Sequence, residues 1–527
     1  MEVRRDWMIP MRDGVHVAAD IYLPEATPAA VILNRTPYLK DPLRQRGAPL
    51  PPGPFANMPP IEERMSVFID AGFAVVVSDT RGTGHSEGEY DYYNFEQGPV
   101  DGVDMINWIE SEPWCDGNIG MMGTSAGAVL AYCAANEEPV HLKAMVANMH
   151  PSDAYLDQWF VGGIFRYQNR IGWCTGMLER ILPLSTANVE GPFKERIRDV
   201  HQQRFDRYYR ELQLGKSPVN MDWFRRLFDE KDDGPFWEGI SVRAKHDRVN
   251  VPVLNQGVWY DHFGRGTLDS HNALTVPRRL MMSPGMHGTR AGDGGFRKDQ
   301  LRFFQHYLRD VDNGVMTEAP VRLYHLGHED WVDHPTWPPA SDQQQWYLTS
   351  HGNLQPSSPS TTDTMTLRHD PSSPNRSISR PQDLRRFEEG ALVFTSPPMG
   401  EDTLVIGSPV LTLYAETDAE DVDWCIQFAD VFPNGRSRLL NYGALKGSHV
   451  FSHENPSPLE PGQTYQFDIE IWPIANLFKQ GHCLRVVICH SDFPFFEVNP
   501  IPSTSHLRTG GQAASRLRVP VVTGTDV

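Results

Sequence analysis

The hydrophobic pattern of the first half of the chain is typical of alternating strands and helices. Continuous apolar runs at residues 29–33 and 73–77 have the composition of strands buried on both faces of a parallel sheet, and residues 142–148 are predicted to form a further strand. Residues 61–71 and 96–111 instead repeat apolar positions at helical spacing. Because connections between parallel strands are right-handed crossovers, this order predicts the α/β class, with a doubly wound parallel sheet.

The pattern changes twice along the chain. Residues 150–245 carry many aromatic side chains in charged, helix-like segments without a clear strand, which favours an inserted helical cap. The sheet resumes with a strand at residues 251–257, and residues 279–288 supply another strand and the turn after it. Beyond residue 316, short alternating strands separated by Pro, Gly and Ser turns predict an all-β sandwich of the jelly-roll type.

Two details of this last part are also predictions. Residues 321–324 are expected to form the first strand of the sandwich. Residues 351–385 are rich in Ser, Pro, Thr and Asp, a composition that predicts a loop.

A Gly-x-Ser-x-Gly pentapeptide lies at residues 123–127, between a predicted strand and a run of small residues suited to a helix. In such a strand-turn-helix the serine has a strained backbone and an exposed hydroxyl, and glycines avoid collisions with the neighbouring elements. Ser125 is therefore the candidate nucleophile.

A serine hydroxyl needs a base to remove its proton, and the base needs an acid to orient it. Asp261 and His287 each follow a predicted sheet strand, and they complete the order Ser, Asp, His that α/β-hydrolases use. The competing residues are four histidines and two acids, of which Asp79 is expected to hold its glycine-rich loop: His150, His262, His271, His306, Asp79 and Asp153.

Composition excludes several other functions. The 527 residues include 48 Lys and Arg against 67 Asp and Glu, and a formal net charge of −19 disfavours nucleic acid or an anionic membrane as partner. The glycines of residues 78–88 match neither nucleotide-binding spacing, and the six cysteines form no C-x-x-C pair, so we expect no cofactor and no metal. With no apolar stretch of about 18 residues, we predict a cytoplasmic protein acting on a small molecule, with self-association left open.

Several motifs together resemble the CocE/NonD hydrolases, which include cocaine-esterase-like and X-prolyl dipeptidyl-peptidase-like enzymes, over nearly the full chain. The matching residues are 11–15, 36–38, 79–88, Trp108, 123–127, 259–261, 285–287, 491–494 and 499–500. The resemblance implies an α/β-hydrolase fold with an inserted helical cap and a C-terminal jelly roll. It also implies an oxyanion hole formed by the Tyr38 hydroxyl and the Ala126 backbone N–H, two donors that acyl transfer requires.

One position departs from the family. Its members usually carry Tyr directly after the nucleophile, whereas this chain has Ala126. The backbone donor is kept, but a ring is lost from the predicted pocket wall.

We therefore predict a hydrolase domain from residues 1–149 and 246–315, a helical cap at 150–245 and a jelly-roll domain at 316–527. Aromatic side chains that a cap turns toward its site are candidates for substrate contacts. The candidates are Trp159, Phe165 and Trp173 in the cap, together with Trp259 in the second part of the hydrolase domain.

The predicted function is a serine hydrolase that cleaves a carboxylic ester or amide through an acyl-enzyme. One alternative is an X-prolyl dipeptidyl-peptidase or amino-acid ester hydrolase, which needs carboxylates for a substrate ammonium; Asp153, Asp157 and Glu179 are available in the cap. Another is a natural-product acyltransferase or cyclase that reuses the triad while excluding water.

Overall fold

A computed structural model describes most of the chain. The described residues are 1–41, 61–88, 90, 98–177, 226–227, 229–288, 295–377 and 383–522.

A ten-stranded sheet forms the centre of the N-terminal part, in the order β1-β2-β4-β3-β5-β6-β9-β10-β11-β12. Strands β4 to β11 of this sheet run parallel, while β1, β2 and β12 are antiparallel to their neighbours. The doubly wound parallel sheet is confirmed, and the chain has the α/β-hydrolase fold. The strands are β1 (Glu2–Pro10), β2 (His16–Leu23), β3 (Ala29–Thr36), β4 (Ala74–Asp79), β5 (Cys115–Thr124), β6 (Leu142–Asn148), β9 (Val253–Tyr260), β10 (Arg278–Met286), β11 (Val321–His325) and β12 (Asp330–His334).

Helices cover both faces of this sheet. In β3, Val31 and Leu33 pack in the core that holds α2 and α3, whereas Ile32 packs in the core that holds α1 and α7. Successive side chains of a strand point to opposite faces, so a strand buried on both sides reads as one continuous apolar run. The helices are α1 (Ile61–Asp70), α2 (Gly98–Ser111), α3 (Ala126–Ala135), α4 (Tyr167–Gly176), α5 (Pro235–Gly239), α6 (Gly264–Ala273) and α7 (Gly295–Arg309). Within the described ranges, no helix combines the length and apolar character needed to cross a membrane.

The described part of residues 150–245 contains more than helices. A π-helix (Ala154–Trp159) leads into a short hairpin of β7 (Phe160–Val161) and β8 (Ile164–Phe165), and a 3₁₀ helix (Val242–Arg248) ends the segment. The prediction that this segment contains no clear strand was wrong. Strands of two residues are too short to show the alternating pattern by which strands are recognised in a sequence. Much of the predicted cap, including Glu179, lies outside the described residues, and its boundaries stay a prediction.

The C-terminal part is an all-β domain of two sheets, as expected, and its jelly-roll topology stays a prediction. One sheet has nine strands around β18 and the other has the order β16-β23-β19-β20. Their facing side chains share one core, in which the rings of Trp424 and Phe467 lie 5.4 Å apart. The strands are β13 (Asp342–Leu348), β14 (Leu354–Gln355), β15 (Asp363–His369), β16 (Leu392–Thr395), β17 (Thr403–Gly407), β18 (Val410–Thr417), β19 (Asp423–Val431), β20 (Ser437–Lys446), β21 (Thr464–Glu470), β22 (Ile474–Phe478), β23 (Cys483–Cys489), β24 (Ser503–Thr509) and β25 (Arg516–Val521); two short 3₁₀ helices are Leu384–Arg386 and Gly447–His449.

Two assignments in this part differ from the sequence prediction. Strand β11 pairs in parallel with β10 and so extends the first sheet rather than the sandwich. Strand β15 lies inside the segment predicted as a loop, and it pairs with β24 along its whole length. Its Thr and Asp residues occupy the exposed positions, which is why composition alone indicated a loop.

The all-β domain packs closely on the first sheet. Leu326, just after β11, exchanges backbone hydrogen bonds with β22, through the Ala475 carbonyl at 2.8 Å and the Leu477 N–H at 2.7 Å. Trp259 of β9 and Trp337 lie 6.0 Å apart in a shared core. The boundary predicted at residue 316 therefore divides elements that form one continuous packed unit.

Candidate active site

Ser125 lies in the sharp turn between β5 and α3. Its backbone angles are φ 58° and ψ −124°, a conformation that is costly for a residue with a side chain. The turn is held to β6 by the Ser125 N–H, which donates to the Asn148 carbonyl at 2.9 Å. A Cβ atom on Gly123 would lie 2.1 Å from the backbone of Gly127, so the first glycine of the motif is required by this close approach.

Asp261 and His287 lie beyond the carboxyl ends of the adjacent parallel strands β9 and β10. His287 Nδ1 is 2.9 Å from Asp261 Oδ1, and the Asp261 side chain is fully buried. The carboxylate is further oriented by the Phe263 N–H, which donates to Oδ1 at 3.0 Å. A carboxylate at Nδ1 fixes the proton there and leaves Nε2 as the basic nitrogen.

A second histidine approaches the same carboxylate. His262 Nδ1 lies 3.4 Å from Asp261 Oδ1, and the rings of His262 and His287 are 4.3 Å apart. Donor atoms of the three side chains lie within 4.8 Å of one another, which makes them the one grouping among the described residues suited to holding a metal ion. The sequence analysis weighed His262 only as a competitor for the role of base, because adjacency to Asp261 does not show where the ring points.

Tyr38 follows β3 and lies beside the serine. Its hydroxyl accepts a hydrogen bond from the Trp173 indole N–H at 3.0 Å and is also hydrogen-bonded with the Ser125 side chain. Burial raises the pKa of the Tyr38 hydroxyl, so it stays protonated and able to donate at neutral pH. Ala126 is the first residue of α3, and an N–H at the first position of a helix has no acceptor within that helix.

The four aromatic candidates have different surroundings. Trp173 is half-buried and contacts Tyr38. Trp159 and Phe165 are buried in an aromatic cluster, with ring centroids 6.1 Å apart. Trp259 donates its indole N–H to the Tyr324 carbonyl at 2.7 Å within the core shared with the all-β domain, so its position is one of packing rather than the substrate contact that we expected.

Two of the competing residues, Asp79 and His150, have other contacts. Asp79 accepts hydrogen bonds from the Lys40 N–H at 2.7 Å, the Lys40 ammonium at 2.8 Å and the His85 N–H at 3.1 Å. It therefore holds the glycine-rich loop, as expected. The His150 ring packs against the Tyr132 ring with a centroid distance of 4.9 Å, and burial lowers the pKa of His150 to about 3, so it stays neutral.

The sequence analysis missed Arg170, on α4. The side chain is only 2% exposed, and its guanidinium carbon lies 5.7 Å from the ring of Trp159 and 5.5 Å from that of Phe263. The Phe263 ring in turn meets the His287 ring edge-on at 5.3 Å. Arg170 and Trp173 are three residues apart and so share one helix face. That spacing could have paired them, but nothing in the sequence indicates that this arginine is buried.

Comparisons with known proteins identify the family of this chain. Residues 13–289 match the model of the X-Pro dipeptidyl-peptidase (S15) family, and residues 313–517 match that of the X-Pro dipeptidyl-peptidase C-terminal non-catalytic domain. The chain belongs to the S15 family. It is therefore a hydrolase of the serine esterase and peptidase type, acting on ester or amide bonds, and its resemblance to CocE/NonD hydrolases is confirmed.

Individual relatives and solved structures include both an esterase and a peptidase. The chain is 28% identical to a cocaine esterase of a Rhodococcus species, over 93% of this chain and 91% of the esterase. Two solved structures share its fold: an aminopeptidase from a marine-sediment Thaumarchaeota archaeon (TM-score 0.81, 20% identity, 99% of this chain and 96% of the other) and a CocE/NonD family hydrolase from Staphylococcus aureus (0.79, 20%, 99% and 94%). Family membership thus leaves the substrate to be inferred from the site.

Proposed function

We propose that this chain is a carboxylic ester hydrolase that works through an acyl-enzyme on Ser125. His287 takes the serine proton at Nε2, and Asp261 orients the imidazole and stabilises the imidazolium that forms. The Tyr38 hydroxyl and the Ala126 N–H donate to the oxyanion of each tetrahedral intermediate. After the alcohol leaves with the proton from His287, the same imidazole activates water and the acid is released.

The observation that carries the proposal is the strained turn of Ser125 beside a protonated tyrosine. A serine at φ 58° strains the backbone and so lowers the stability of the fold. Strained residues of this kind are common at catalytic positions. The hydrogen bond between Asp261 and His287, at the ends of the neighbouring strands, supports the remaining roles. Residues at the carboxyl ends of parallel strands meet at one edge of the sheet, where α/β proteins bind ligands.

The environment of Asp153 and Asp157, two of the acids in the cap, favours an ester over the amino terminus of a peptide. Asp153 accepts the Tyr155 N–H at 2.8 Å and pairs with Arg243 at 2.7 Å, so its carboxylate is already used. Asp157 accepts the Ser152 N–H at 3.0 Å, and burial raises its pKa well above the usual range, which favours the neutral form. Neither is suited to holding a substrate ammonium.

A substrate panel tests the proposal. The panel contains 4-nitrophenyl acetate, an aminoacyl 4-nitrophenyl ester and an X-Pro 4-nitroanilide, each assayed with wild type, Ser125→Ala and Ser111→Ala. Ser111 is an exposed serine at the end of α2 and serves as the matched control. We expect the acetate to be hydrolysed, with a loss of roughly 10⁴-fold or more in kcat for Ser125→Ala only. Unchanged activity of Ser125→Ala, or a preference of wild type for the anilide, would overturn it.

A further inference from the structure

Arg170 is a buried cation that no acidic side chain of the described residues neutralises. Its polar contacts are with the neighbouring Asn169 side-chain oxygen, which accepts from Nε at 2.7 Å and also from Nη2. The third nitrogen, Nη1, is buried and has no hydrogen-bond partner among the described residues. Burying a charged group that has an unsatisfied hydrogen-bond donor is costly. Such a group therefore generally has a partner that accepts the hydrogen bond and balances the charge.

The surroundings of Arg170 place this charge between the two halves of the candidate site. On one side, its charge acts on the Tyr38 hydroxyl, the group that contacts Ser125. On the other, it lies 5.5 Å from the Phe263 ring, which packs edge-on against His287. Arg170 is therefore a neighbour both of Tyr38 and of the Phe263 ring that packs on His287.

The aromatic rings around Arg170 give it a fixed position. The faces of Trp159 and Phe263 stabilise the cation partly and hold the planar group in one orientation. A guanidinium held in this way presents a pair of donors whose geometry matches a carboxylate.

We propose that Arg170 binds a carboxylate carried by the substrate, so that the enzyme hydrolyses esters with an anionic group near the scissile bond. This inference rests on the proposed ester hydrolase function and names its substrate class. The formal net charge of −19 does not attract anions to the surface. The preference for an anionic substrate therefore comes from this buried arginine and not from the surface charge. A dipeptidyl-peptidase requires the opposite preference, for a substrate ammonium.

Two matched pairs of esters test the proposal. They also show whether the bound carboxylate belongs to the acyl group or to the leaving group of the substrate. The acyl-side pair is mono(4-nitrophenyl) glutarate and its methyl ester; the leaving-group pair is 4-acetoxybenzoate and its methyl ester. We expect wild type to prefer the anionic member of one pair by roughly 10²-fold or more in kcat/KM. Equal rates on both members of both pairs would overturn the proposal.

Variants assign the preference to the residue. Arg170→Met keeps an unbranched stem against the two rings but removes the charge, and it should abolish the preference while neutral esters change by only a few-fold. Arg170→Lys should keep part of the preference, and Arg243→Met, an arginine of the same region paired with Asp153, should keep all of it. Equal losses on neutral and anionic esters in Arg170→Met and Arg170→Lys would assign Arg170 to packing and contradict the proposal.

A binding measurement separates this test from that of the proposed function. Calorimetric titration of glutarate into Ser125→Ala should show saturable binding, which Ser125→Ala/Arg170→Met should lose. If Ser125→Ala still hydrolyses the neutral ester, the proposed function fails, and glutarate binding reports on Arg170 independently. Absence of glutarate binding combined with no preference in the ester pairs rejects the carboxylate site while leaving the hydrolase assignment intact.

Discussion

The indole N–H of Trp173 donates a hydrogen bond to the hydroxyl oxygen of Tyr38 at 3.0 Å. This contact joins α4 to the loop after β3, two segments separated by 135 positions in the sequence. The Ser125 side chain is the other hydrogen-bond neighbour of the Tyr38 hydroxyl. The orientation of the proposed oxyanion donor therefore depends on α4.

The first prediction concerns this pair. Tyr38→Phe keeps the ring and deletes the donor, so kcat on an aryl ester should fall by roughly 10²–10³, as for the loss of one oxyanion donor. Trp173→Phe removes only the hydrogen bond that orients the hydroxyl and should cost about tenfold. Because Trp173 acts through the Tyr38 oxygen, the double variant should be no slower than Tyr38→Phe. Additive losses would show that Trp173 acts on the substrate by another route.

The second prediction decides which histidine is the base. Both His262 and His287 approach Asp261 Oδ1, at 3.4 Å and 2.9 Å. His287→Asn should lower kcat by roughly 10³-fold or more, as for loss of a triad member. His262→Asn should cost less than about tenfold, the value of one hydrogen bond. The reverse order would transfer the role of base to His262.

Much of the fold was predictable because the sheet is buried on both faces. The prediction of β6 at residues 142–148 matches the structure at both ends, because most positions of this segment are apolar and all but one are buried in the sheet. The same logic located Ser125, Asp261 and His287, each directly after a strand. These positions are set by local sequence.

Other features depend on contacts that local sequence does not carry. Strand β11 has the same alternating pattern as a sandwich strand, and only its pairing with β10 assigns it to the first sheet. Trp259 precedes Asp261 by two positions, yet its side chain belongs to the core formed with Trp337. Arg170 resembles any surface arginine of a helix until its burial is known.

A third prediction tests the packing between the two sheets. Trp337 is 9% exposed, and its ring packs against that of Trp259. Trp337→Ala should therefore lower the free energy of unfolding by about 3–5 kcal/mol, as for other truncations of buried aromatic side chains. Its kcat should stay near wild type, because every proposed catalytic residue precedes residue 290. Trp7, on β1, is 43% exposed, and Trp7→Ala should change stability by about 0.5 kcal/mol or less. Equal melting temperatures for Trp337→Ala and wild type would contradict this packing role.

A fourth prediction concerns acid stability. The folded-state pKa of His150 is lowered from 6.5 to about 3 by burial, so unfolding takes up a proton below pH 6.5. His150 therefore contributes stability that is present above pH 6.5 and is lost as the pH falls toward about 3, at up to about 1.4 kcal/mol per pH unit. Neither ring nitrogen has a hydrogen-bond partner among the described residues, so His150→Phe should keep the ring contact with Tyr132 and show a shallower slope.

Urea unfolding at pH 7, 6 and 5 measures this slope. The control is His328→Gln, at an exposed position, which should keep the slope of wild type. An unchanged slope in His150→Phe would show that this histidine takes up its proton without unfolding.

The central claim is that Ser125 is the nucleophile, and covalent trapping tests it most directly. Wild type, Ser125→Ala and Ser111→Ala are treated with a fluorophosphonate, and the modified peptide is located by mass spectrometry. The account predicts one adduct, on Ser125, in wild type and Ser111→Ala, with none in Ser125→Ala. An adduct on another serine, or equal labelling of Ser125→Ala, would contradict it.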